Sequence, residues 1–109
     1  MVEIWQGEAK SVGFRLKLDN EPLTPENVTA LEVLIGTGFS RSTEDPQHPV
    51  AWNDDENEWT LPLTQDDTLK FVPRIYKVVA RVRPFGSSDV LMEECGDIEI
   101  LESGAKKVL

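Results

Sequence analysis

Residues 11–19 read SVGFRLKLD, and their two-residue rhythm decides the fold class. Val12, Phe14, Leu16 and Leu18 share one face of an extended chain, while Gly13, Arg15 and Lys17 share the other. A helix would scatter those apolar positions around its circumference, so the stretch predicts a half-buried strand. The residues that follow end it. Asp19 and Asn20 tolerate turn conformations, and Pro22 and Pro25 lack the N–H that a continuing strand needs. Thr24 followed by Pro25 suits an N-cap and a first helical position, which predicts one short helical turn.

The same rhythm recurs along the chain. In ALEVLIG, Leu31, Val33 and Ile35 alternate with Glu32 and Leu34. In RIYKVVARVR, Tyr76, Val78, Ala80 and Val82 share a face opposed by Lys77, Arg81 and Arg83. VAWN and EWTLPL read as hairpin arms around Asp54–Asn57, VLMEE follows a turn at residues 84–88, and DIEIL places Ile98 and Ile100 inward. Residues 40–49, with Asp45-Pro46 and His48-Pro49, read as a surface loop beside a short edge strand. Thr64-Gln65-Asp66-Asp67 approximates a capping box, with both carboxylates at the positive end of a short helix. The expectation is an all-β chain: an antiparallel, immunoglobulin-like β-sandwich of about seven or eight strands with one or two short helical turns. Residues 1–102 form the single domain, and residues 103–109, SGAKKVL, form a tail with little apolar surface to anchor it.

Composition narrows the partners. The chain has 109 residues and a formal charge of -9, which repels phosphate backbones and anionic lipid heads, so neither nucleic acid nor membrane is expected as a partner. The single cysteine, Cys95, excludes an intrachain disulfide and reads as a small buried hydrophobe. The only histidine, His48, lies far away in the proline-containing loop, which argues against a Cys–His pair. MVEIWQGEAK lacks the basic head and apolar run of a signal peptide, so a soluble chain made in a cytoplasm is expected.

No constellation of residues predicts catalysis. Asn53, Asp55 and Asn57 offer oxygens at EF-hand spacing, but Glu58 stands where the loop needs glycine and Thr64 where it needs glutamate. The other acids sit in turns and on polar faces, without the desolvated partner that acid–base chemistry requires. Trp5, Trp52, Trp59 and Tyr76 would make a sugar-binding platform only if several were exposed on one face, and core or end packing is the plainer reading. No enzyme activity and no cofactor is expected.

The succession VEIWQGE, FRLKL, EPLTPENVTALEVLIG, EWTLPLTQDDTLKF, YKVVARVRPFG and GDIEILES resembles small β-sandwich structural proteins of phages and prophages of Gram-positive bacteria. More distantly, it is similar to the N-terminal domain of phage baseplate upper proteins. The resemblance implies a virion or prophage structural component, assembled in the host bacterial cytoplasm, that docks onto other tail or baseplate subunits and has no active site. The long extension by which baseplate upper proteins hold receptor-binding proteins is missing here, so an accessory or connector role is implied. Leu34 and Val79 stand on the polar sides of otherwise cleanly alternating strands, which marks them, with Trp5 and Phe85, as interface candidates. VEIW and Phe39–Ser42 are the expected open edges, and a homo-oligomer is a second expected outcome. The competing reading is a carbohydrate- or cell-surface-binding sandwich.

Overall fold

The computed structural model describes all residues, 1–109, and is built almost wholly from strands. In chain order they are β1 (Val2–Trp5), β2 (Lys10–Phe14), β3 (Lys17–Leu18), β4 (Glu21–Pro22), β5 (Val28–Ile35), β6 (Phe39–Ser42), β7 (Ala51–Asn53) and β8 (Glu58–Leu63). Helix α1 (Gln65–Lys70) follows, then β9 (Ile75–Pro84) and β10 (Leu91–Leu101). Five strands form one sheet in the order β1-β10-β9-β5-β6, three form a second in the order β2-β8-β7, and β3 and β4 make a separate ribbon. All pairings are antiparallel except that of β1, which joins β10 in parallel.

Alternation explains how the sheets meet. The inward positions of the larger sheet are Ile4, Leu31, Val33, Ile35, Val78, Ala80, Val82, Ile98 and Ile100. Those of the smaller sheet are Val12, Phe14, Trp59, Leu61 and Leu63, and both sets belong to one cluster of 17 buried residues. Burying an aliphatic or aromatic side chain of this kind stabilises by about 1.5–3 kcal/mol, so this shared core, not the ladders alone, holds the sheets together. Trp59 also satisfies its indole N–H inside the core, donating to the Leu23 carbonyl at 2.9 Å.

Local chemistry sets the interruptions. SVGFRLKLD is broken into β2 and β3 at Arg15–Leu16, although Leu16 remains buried and the rhythm persists. Asp19 and Asn20 both adopt positive φ between Leu18 and its partner Glu21, the geometry of a two-residue hairpin. At Thr24–Pro25 no helix forms. Asn27 Oδ1 accepts from the Thr24 N–H at 2.6 Å while the Asn27 N–H donates to the Thr24 carbonyl at 3.0 Å, so a side chain closes a turn in place of a helix. The expected edge strand at Phe39–Ser42 is present, and the loop after it is tied back by Val50 N–H to Ser42 O at 3.0 Å.

The capping box predicted after EWTLPL is complete. Thr64 N–H donates to Asp67 Oδ2 at 2.8 Å and Asp67 N–H donates to Thr64 Oγ1 at 3.2 Å. Six residues are too few for a helix to stand alone, so α1 depends on this cap and on its tertiary contacts. One contact is a buried threonine: Thr68 Oγ1 accepts from Gly7 N–H at 2.9 Å and donates to Glu8 O at 2.8 Å. Residues 103–109 have no regular structure, and their hydrogen bonds include Ser103 Oγ to Gln6 O at 2.6 Å and Leu109 N–H to Gln65 Oε1 at 2.6 Å.

Candidate interaction surface

Register decides which interface candidates meet. Leu34 on β5 and Val79 on β9 are direct cross-strand partners on the outer face of the five-stranded sheet, and both are half-buried. Ion pairs lie to either side of them: Arg81 Nη2 to Glu32 Oε1 at 3.0 Å, and Lys77 Nζ to Glu94 Oε1 at 3.0 Å. An apolar pair thus lies between two ion pairs, with exposed Met92 opposite Arg81 on the same face. Trp5 and Phe85 do not join it. Trp5, 51% exposed, pairs with Leu101 at the end of the sheet where β9 begins. Phe85, 76% exposed, follows Pro84 at the opposite end, in the turn between β9 and β10.

The two expected edges do flank the larger sheet, but neither is bare. On β1, Trp5 N–H donates to Glu8 Oε1 at 3.1 Å, Trp5 O accepts from Glu8 N–H at 3.0 Å, and Glu3 O accepts from Lys10 Nζ at 3.3 Å. On β6, Ser42 O is taken by Val50 N–H. The inward side of β6 carries Arg41, which donates to Pro62 O at 2.6 Å and to Asp67 Oδ2 at 2.7 Å, tying this edge to β8 and α1. Burial raises the Asp67 carboxyl, but the hydrogen bonds from Arg41 and Thr64 outweigh it and hold the group below the ordinary carboxylate range. Arg41 Nε has no hydrogen-bond partner, since Asp45 Oδ2 at 3.8 Å is near enough for charge attraction only.

The outer sides of β2 and β7 bound the smaller sheet, and the larger sheet has in addition an uncovered edge that sequence reading passed over. β10 pairs with β9 from Leu91 to Glu99, whereas β1 covers only Ile98–Leu101. The outer side of Leu91–Gly96 therefore has no strand beside it. Alternation identifies the edge as a strand but cannot say where a neighbouring strand stops. Gly96, at φ 115°, and the register shift between Glu94 and Gly96 mark a bulge at the same place.

The remaining sequence candidates are accounted for by local packing. The indoles of Trp52 and Trp59 meet edge to face, with centroids 5.3 Å apart and planes at 73°, and Trp59 is buried, so these rings do not form a coplanar platform. At the β7–β8 hairpin tip, Asn53 Oδ1 accepts from Asp55 and Glu56 N–H groups and Asp54 Oδ1 accepts from the Trp52 indole. Cys95 packs against the core, and burial pushes its thiol up to about 11. The thiolate fraction at pH 8 should then be about 100-fold below that of an ordinary cysteine, and labelling by a disulfide reagent should be slowed in proportion. Labelling as fast as that of free cysteine would show that the site opens in solution.

No family model and no solved structure matches this chain. Over 54 residues, 49% of the chain, it is 39% identical to the COPII coat assembly protein SEC16 of Chaetomium globosum. The match spans 3% of that protein's length.

Proposed function

We propose that this protein is a non-enzymatic structural component of a phage or prophage particle, a tail- or baseplate-associated module of immunoglobulin-like sandwich type that works by protein–protein assembly. The observation that carries the reading is the Leu34–Val79 pair, an apolar contact set side by side between two ion pairs on the outer sheet face. Half-buried aliphatic side chains in such a place gain further burial when another subunit covers them. The phage context comes from the sequence resemblance, and the genes beside this one test it: tail, capsid or portal genes support it and metabolic genes overturn it.

Association through the outer face has its own test. Light scattering in about 0.5 M salt, where the -9 charge is screened, should find the wild type associating as concentration rises. Leu34→Asp and Val79→Asp, each adding an acid beside Glu32 or Glu94, should remain monomeric with unchanged circular dichroism. A wild type that stays monomeric throughout would rule out self-association by this face.

A further inference from the structure

We propose that the uncovered stretch of β10, Leu91–Gly96, accepts an extended strand from a partner protein, one that alternates small apolar with basic residues. This deepens the assembly reading above and rests on it. Hydrogen-bond parity shows what the edge offers. Gly36 N–H donates to Lys77 O, so odd-numbered residues of β9 face β5 and even-numbered ones face β10. Val82 and Ala80 are opposite Leu91 and Glu93, which therefore point at β9, leaving the N–H and C=O of Met92 and Glu94 directed outward. Beyond the bulge, Ile100 N–H donates to Arg74 O and Gln6 N–H donates to Leu101 O, so Asp97 and Glu99 face β1, whose pairing begins at Val2 opposite Ile98. No turn, loop or side chain supplies the outward groups of Met92 and Glu94 with a partner. An incoming strand would continue the line of β1 and extend the sheet.

Two observations define the occupant. A cavity of about 50 Å³ lies at the inner side of this edge, lined by Val2, Val12, Phe14 and Cys95 among others, so the partner's inward residue is small and aliphatic. On the outer side stand Glu94 and Asp97, both exposed, in a chain of charge -9; Lys77 pairs with Glu94 at 3.0 Å and leaves Asp97 without an ion pair. A second copy pairing here would set acid against acid, which is destabilising, whereas lysine or arginine would be matched. The occupant is thus a different protein with a basic strand.

The test uses a capped peptide of about seven residues alternating lysine and valine, with the same peptide carrying glutamate for lysine as control. At about 1 mM peptide and low salt, amide exchange at Met92 and Glu94 should slow at least about fivefold with the lysine peptide and not with the glutamate one. Met92→Pro removes an outward donor without touching the β9 ladder and should abolish the effect while the thermal melt shows the fold retained. Glu94→Lys should weaken binding, and Leu34→Asp, on the sheet face, should leave it intact, which separates this proposal from outer-face association. Unchanged exchange with the lysine peptide, equal protection by the glutamate peptide, or binding that survives Met92→Pro would overturn the proposal. So would protection of the same amides by concentrating the protein alone.

Discussion

Replacing Asp67 by alanine should lower the unfolding free energy by about 3 kcal/mol, measured by urea denaturation at pH 7. Removing the carboxylate strands the Arg41 guanidinium, whose side chain is only 10% exposed, in a site where Asp67 is 15% exposed. Breaking a buried pair from one side costs about 3–5 kcal/mol, and the lower end applies because both groups keep some contact with water. Loss of the cap acts in the same direction, since Thr64 N–H loses its acceptor. Arg41→Met in the Asp67→Ala background should restore part of the stability, because no charge is then left unpaired. A loss below about 1 kcal/mol for Asp67→Ala would mean the pair behaves like any exposed ion pair.

The same group fixes a pH dependence. The folded-state pKa of Asp67 lies below its unfolded value, so its contribution is full above about pH 4 and fades as pH falls through the folded-state value. The gap between wild type and Asp67→Ala should therefore narrow below about pH 4 and stay constant from there to pH 7. A gap that held at low pH would indicate that cap geometry, not charge, supplies the stabilisation.

How far these features were readable depends on the range of the interaction that makes them. The inward sets of β2, β5, β9 and β10 follow from period two, since one face is buried along each strand. The Thr64–Asp67 cap spans four residues and was equally legible. Arg41 was not marked, because its partners Pro62 and Asp67 are far along the chain. Yet it left a trace as the only lysine or arginine between Lys17 and Lys70, a single basic residue in an acidic stretch. The meeting of Leu34 with Val79 needed register, and the bare half of β10 needed the length of β1's pairing, neither of which alternation encodes. Leu34 and Val79 could be picked out as misplaced apolar residues, but their adjacency could not. The blocking of β1 by Glu8 was also hidden. It arises from a tight turn in which Gly7 takes φ 86°, with Ala105 so near that a Cβ on Gly7 would meet it at 2.9 Å.

That turn is what the second large effect addresses. Thr68→Val should destabilise by about 2 kcal/mol although it preserves side-chain shape and is more apolar. Thr68 is fully buried, and its hydroxyl joins α1 to the β1–β2 turn by accepting from Gly7 N–H and donating to Glu8 O. Exchanging hydroxyl for methyl gains about 1 kcal/mol of transfer free energy but leaves an amide and a carbonyl without partners, at about 1–3 kcal/mol each. Both backbone groups are part-buried, so water recovers some of that loss and the net lands near 2 rather than 4 kcal/mol. Thr68→Ser separates the contributions. It keeps the bridge and loses only a methyl, so it should cost about 1 kcal/mol and leave Gly7 N–H protected from exchange. In Thr68→Val the Gly7 amide should exchange faster. The Glu8 cap on Trp5 should loosen with it, because the turn that presents Glu8 to β1 is no longer held to the helix. If the valine variant is as stable as wild type with Gly7 still protected, the turn is held by the chain's own geometry, and blocking of the β1 edge does not depend on α1.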